Sequence, residues 1–155
     1  MHSNPILIHG IEMKAVRVYV DERGIVAEIL RSDDPIFERF GQVYYATCNP
    51  GVVKAWHYHK IHTDYLYCIH GSTKLGLYDG RPDSPTHGIS NTFILSPYNH
   101  LVIKVPPGVL HGNMCLGNEP CILVNVPTHV YDPEDEYKLD PFDPSIPYQW
   151  PVKSR

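Results

Sequence analysis

Short runs rich in Val, Ile, Tyr and Leu follow one another over the first 126 residues, broken by Pro and Gly, and none keeps a helical period. The runs predict ten strands, at 15–20, 25–31, 42–48, 52–58, 64–70, 73–78, 91–95, 101–105, 111–116 and 121–126. Asn49-Pro50-Gly51, Asp79-Gly80, Ser96-Pro97-Tyr98-Asn99 and Pro106-Pro107-Gly108 supply turn chemistry between them. The stretch from Asp33 to Phe40 reads as a loop or one helical turn. Many short strands at close spacing predict an all-β sandwich or barrel. From Pro127 onward the chain turns Pro-, Asp- and Tyr-rich and loses its alternation. This predicts one domain over 1–155, with 127–155 as a tail packed on the barrel.

Composition agrees with a single folded unit: 155 residues, 43% apolar and 19% charged. The formal charge of −4 comes with no basic run, which argues against nucleic acid or an anionic membrane as partner. No stretch has the length and apolarity of a membrane span, and the start lacks a basic segment leading into an apolar one, so a cytoplasmic location is expected. Cys48, Cys68, Cys115 and Cys121 form no Cys-x-x-Cys pair and are expected to be small buried thiols.

The histidines change the picture. Gly51, His57, His59, Asp64 and Gly71, then Pro106, Gly108 and His111, fall at spacings that resemble the two cupin motifs, with Asp64 where most cupins have Glu. The fold implied is a cupin-type jelly-roll barrel. His57 and His59, two apart on a strand, share a face, which is the barrel interior if Val53 and Ala55 share it too. With His111 opposite, such a cavity holds a divalent metal through His57, His59, Asp64 and His111, or uses the histidines as acid and base. The plainer alternative is a set of hydrogen-bonded core histidines. Burying that many titratable groups without a role is costly, which favours a functional pocket.

Reading outward from His57, the chain resembles the dTDP-4-dehydrorhamnose 3,5-epimerase family from about Asp21 to Pro151. Arg23-Gly24 with Glu28, the strand opened by Gln42, Lys54-Ala55-Trp56-His57, Asp79-Gly80-Arg81 with Ser84-Pro85-Thr86, Pro106-Pro107-Gly108 through His111-Gly112, Tyr131-Asp132-Pro133-Glu134 and Trp150-Pro151 follow the family's order and spacing. The resemblance implies a nucleotide-sugar epimerase acting at C3, C5 or both of a nucleotide-linked 4-keto-6-deoxyhexose, in deoxysugar or surface polysaccharide synthesis. No cofactor is implied. His57 is then the base and Tyr131 the opposing acid, with Asp64 as the group that orients His57. Arg23, Glu28, Gln42, Lys54, His59 and His111 become substrate-binding candidates.

Three departures mark this chain. The lysine that stabilises enolate charge in the family falls on Asp64, and the phosphate-contacting arginine falls on Lys54, which lacks a bidentate fork. The family segment carrying the Asp that supports the catalytic His lies past Arg155. Two rivals follow: a metal-dependent cupin isomerase or dioxygenase, and a sugar-nucleotide-binding cupin without catalysis. The resemblance also implies a homodimer, with Arg23 and Glu28 reaching nucleotide held by the partner.

Overall fold

The computed structural model describes residues 5–152. Two five-stranded antiparallel sheets face each other in a jelly-roll barrel. One runs β1 (Glu12–Ala15), β9 (Leu101–Val105), β6 (Asp64–His70), β11 (Cys121–Asn125), β4 (Tyr44–Cys48), and the other runs β12 (Tyr137–Lys138), β5 (Val53–Tyr58), β10 (Val109–Leu116), β7 (Ser72–Asp79), β8 (Ser90–Leu95). A separate ribbon pairs β2 (Arg17–Asp21) with β3 (Gly24–Glu28). Among the described residues no helix is long and apolar enough to cross a membrane.

The strands expected from alternation are present with two corrections. The run expected at 15–20 corresponds to β2, and β1 before it was not expected; the two part where buried Val16 donates its N–H to the His100 carbonyl at 2.7 Å and the chain leaves β9 to start the ribbon. The two-residue β12 lies in the Pro-rich tail, too short to leave a period. The stretch from Asp33 to Phe40 holds only turns, with Asp34 and Phe37 N–H groups bonded three residues back.

Between the sheets, Leu66, Cys68, Ile103, Val105 and Leu123 meet Leu75, Leu77, Leu95 and Val109. Each fully buried side chain of this kind contributes about 1.5–3 kcal/mol through removal from water. A second cluster lies outside, where Trp56 and Leu110 pack under Ile146 and Trp150 of the tail. Trp56 and Leu139 exchange two backbone hydrogen bonds of 3.0 Å, and the Trp56 and Trp150 rings sit 4.9 Å apart. Gly76 makes this closure possible, since a Cβ there would lie 2.7 Å from both the Trp150 and Tyr148 rings.

The signature Asp79, Arg81, Ser84 and Thr86 is explained by structure rather than chemistry. The fully buried Asp79 carboxylate accepts from Arg81 at 2.8 and 2.9 Å, from Ser84 at 2.6 Å and from Thr86 at 2.6 Å. Burial raises its pKa, but these donors outweigh burial and hold the group well below the ordinary carboxylate range. The knot fixes the loop that joins β7 to β8.

Candidate functional site

β5 sets the site through an irregularity in its pairing with β10. His111 pairs with His57 and Asn113 pairs with Lys54, so β5 carries one residue more than its partner in that interval. Below the shift, Val53 and Ala55 pack outward with Trp56 and Tyr58 against the tail cluster. Above it, His57 and His59 point inward. The condition set by simple alternation, that Val53 and Ala55 share the histidine face, therefore fails: a one-residue slip exchanges the faces of a strand. The histidines reach the interior because of that slip.

A cleft of about 350 Å³ opens above them, lined by Gln42, Tyr44, His57, His59, His62, Pro127, Tyr131 and Glu136. His57 rests on His111, ring centroids 4.1 Å apart. Burial, and then the nearness of His111, push the His57 pKa well below its ordinary value. Its imidazole is thus neutral at neutral pH, the form that can accept a proton. Tyr131 stands at the rim, exposed. Gln42 Oε1 accepts its backbone N–H at 3.1 Å, and its phenol donates to Glu136 at 3.2 Å. Glu136 in turn meets Lys138 at 3.2 Å, which ties the rim tyrosine to a solvated ion pair.

Asp64 does not meet His57. Its Oδ2 lies 3.2 Å from His111 Nε2 and 3.8 Å from His59 Nε2, and its Oδ1 lies 3.5 Å from His62 Nε2. Asn125 donates to the same Oδ1 at 2.6 Å. The expected orienting contact from Asp64 to His57 is absent among the described residues, because β6 sets the carboxylate behind His111 instead. Burial drives the Asp64 pKa up, yet contacts from His111, His62 and Asn125 outweigh it and hold the group well below its ordinary value. An anionic carboxylate buried at 2% exposure needs positive charge or strong donors beside it.

The other sequence candidates divide. Gln42 and His59 line the cleft, and His111 lies beneath it in a small inner cavity shared with His57, Tyr44, Asn113 and Asn125. Lys54 turns its ammonium to the Thr47 carbonyl at 2.6 Å and does not line the cleft. Arg23 pairs with Asp21 on the ribbon, and Glu28 pairs with Arg31 at 3.0 Å beside a different pocket. Neither reaches the cleft of its own chain. The proposed metal set also splits: His57, His59 and His111 form one cluster of potential ligands, and His59, His62 and Asp64 another.

Three contributors have no counterpart among the sequence candidates. Tyr44 opens β4 two residues past Gln42, which precedes the strand instead of starting it as expected, so the expected alternation from Gln42 still points to Tyr44. Its oxygen accepts from Asn125 at 2.9 Å, so its own O–H is left for the cleft. Burial, with Asp64 nearby, raises the Tyr44 pKa and keeps the phenol protonated. His62 lies past the end of β5, stacked 3.7 Å from His59, where strand period says nothing. Burial lowers the His62 pKa, but the Asp64 and Asp135 carboxylates outweigh it and raise the value overall. Asp135, in the 3-10 turn Pro133–Asp135, accepts from the Lys60 N–H at 2.7 Å and the Ile61 N–H at 3.2 Å, so the tail fixes the loop bearing His62.

The chain matches the family described as dTDP-4-dehydrorhamnose 3,5-epimerase over residues 5–155. It is 40% identical, over 91% of its length and 88% of the relative's, to the probable low-salt glycan biosynthesis epimerase Agl13 of Haloferax volcanii. Its fold superposes on a dTDP sugar isomerase from Desulfovibrio desulfuricans G20 with a TM-score of 0.89, at 31% identity and 94% coverage of both chains. It superposes similarly, with a TM-score of 0.85, 25% identity and coverage of 97% and 84%, on a dTDP-6-deoxy-D-glucose-3,5-epimerase from Legionella pneumophila in complex with dTDP-4-keto-L-rhamnose.

Proposed function

The chain belongs to the dTDP-4-dehydrorhamnose 3,5-epimerase family, and on that premise we propose that it inverts C3, C5 or both of a nucleotide-linked 4-keto-6-deoxyhexose for glycan synthesis. One observation carries the reading: a neutral, inward-facing histidine and a rim tyrosine border the same cleft. Removing a proton next to a ketone needs a base on one face, a stabilised enolate oxygen, and an acid on the other face. His57 takes the proton and Tyr131 returns one, with its Glu136 partner as the path to solvent. Tyr44, whose O–H is free and which lines the cleft, is the donor for an enolate oxygen. Asp64 acts on His111 and His62 rather than directly on the base.

The chain works as a homodimer. The ribbon of β2 and β3 pairs with neither sheet and exposes Tyr19, Val20, Ile25 and Val26, apolar surface that a second copy would cover. Arg23 and Glu28, remote from the cleft of their own chain, then serve the partner's nucleotide. A monomer in sedimentation at micromolar concentration would contradict this. The cytoplasmic reading draws support from four free, buried cysteines, the pattern of a reducing compartment.

The catalytic reading is tested with a panel of 4-keto-6-deoxyhexoses carrying dTDP, UDP, GDP or CDP, trapped by borohydride and assigned by NMR. At least one is expected to appear with C3 or C5 inverted. Tight binding with no inversion anywhere would leave a binding protein, and neither binding nor inversion would remove the nucleotide-sugar reading altogether.

A further inference from the structure

Base and acid stand on separate segments of the chain, His57 on β5 and Tyr131 in the tail. The hydrogen bonds at Tyr131 itself are exposed ones, to Gln42 and Glu136. The buried attachment comes four residues later. Asp135 is 4% exposed, and its carboxylate accepts from the N–H groups of Lys60 at 2.7 Å and Ile61 at 3.2 Å, in the loop that follows β5. Its carbonyl accepts from His59 Nδ1 at 2.7 Å, and His62 Nδ1 stands 3.6 Å from its carboxylate. One tail residue thus meets four consecutive residues, 59–62, of the chain that leaves the catalytic strand.

The link from Asp135 back to Tyr131 is stiff. The Asp135 N–H donates to the Asp132 carbonyl at 3.1 Å, the Asp132 side chain accepts from the Glu134 N–H at 2.9 Å, and Pro133 opens the 3-10 turn with its fixed φ. Forward of Asp135, Tyr137 and Lys138 pair with Tyr58 and His57 as β12 on β5. Attachment of the tail does not call for a buried charge, because β12 and the apolar cluster of Trp56, Ile146 and Trp150 already hold it. Taking a carboxylate out of water is costly. What it adds is direction: hydrogen bonds to two adjacent N–H groups fix distance and angle as apolar packing does not.

We propose that Asp135 is a positioning residue for epimerisation. It locks the turn bearing Tyr131 onto the end of the strand bearing His57, and so sets how often a proton removed by His57 is replaced from the opposite face instead of being returned to its own. This rests on the reading of His57 as base and Tyr131 as acid. A proton donor works only within hydrogen-bond reach of the atom it protonates, and a displacement of about 1 Å can cost about 10²-fold. His57 is held by the pairing of β5 with β10, independently of the tail. Loosening the clamp at Asp135 therefore weakens delivery of a proton by Tyr131 more than removal of one by His57.

The test compares the full-length wild type with Asp135→Asn in D2O, on a 4-keto nucleotide sugar that the wild type inverts. Asn keeps the size of the side chain but offers an oxygen to one of the two N–H groups and turns a donor on the other. Inverted product is expected to fall by about 10–10²-fold, while deuterium wash-in with configuration retained falls less than about threefold. Added to Tyr131→Phe, the substitution should change the ratio of wash-in to inversion no further, because a positioning residue acts through the hydroxyl already removed. Ile146→Ala, which loosens the tail at its apolar cluster, should lower Tm and leave the ratio unchanged. Should Asp135→Asn fail to fold by circular dichroism, Pro133→Gly frees the exposed turn without touching the carboxylate and is expected to move the ratio in the same direction. Equal losses of wash-in and inversion, a ratio that stays at the wild-type value, or additivity with Tyr131→Phe would overturn the assignment and leave the epimerase reading intact. A wild type that neither exchanges nor inverts any 4-keto sugar would overturn both.

Discussion

His57→Ala is expected to lower the rate of epimerisation by about 10³-fold, with substrate affinity changed far less, since general base catalysis is worth about 10²–10⁴. The expectation follows from position and protonation together. His57 is the ring that both borders the cleft and reaches inward over His111, and burial keeps it neutral at neutral pH. No other group of the cleft combines these properties. His59 gives its Nδ1 hydrogen to the Asp135 carbonyl, and His62 lies between the Asp64 and Asp135 carboxylates. The measurement is kcat and KM on the best substrate of the panel, with circular dichroism to establish that the variant is folded. A loss below tenfold would move the base to another residue.

Tyr131→Phe is expected to lower formation of inverted product by about 10²–10³-fold while leaving proton removal nearly intact. Phe keeps the ring at the cleft rim and deletes only the hydroxyl that donates to Glu136. The two half-reactions then separate. In deuterated water the variant should wash deuterium into recovered substrate, with configuration retained, faster than it makes product, because His57 can return a solvent-equilibrated proton to the face it came from. Equal losses of wash-in and inversion would show that Tyr131 is needed before proton transfer and is not the acid. Since the side chain is exposed, little stability is at stake.

How far the sequence carried these conclusions depends on what each feature leaves in a one-dimensional pattern. Alternating apolar runs and Pro-Gly turns encode the all-β barrel directly, and the spacing of His57, His59 and His111 encodes their convergence because paired strands bring them together. The inward face of β5 could not be read by alternation: an extra residue between Lys54 and His57 reverses the phase, and only the partner strand reveals it. Asp64 was legible as a member of the site but not as the partner of His111, since His57 and His111 are cross-strand neighbours and sequence distance does not say which of them a buried carboxylate meets. His62 and Asp135 were silent for a related reason. Both lie outside regular strands, 73 residues apart, and meet only because the tail folds back over the loop after β5. Arg23 and Glu28 follow the family's spacing yet lie away from the cleft of their own chain, because the β2–β3 ribbon that bears them pairs with neither sheet.

Position-resolved deuterium incorporation by the wild-type enzyme tests the central claim most directly. A nucleotide-linked 4-keto-6-deoxyhexose incubated with the protein in D2O and followed by NMR is predicted to acquire one deuterium at each inverted carbon, C3 or C5, with none at the other ring positions, and His57→Ala should abolish the signal. Inversion without deuterium at the inverted carbon, or deuterium uptake that persists undiminished in His57→Ala, would contradict proton transfer by this histidine.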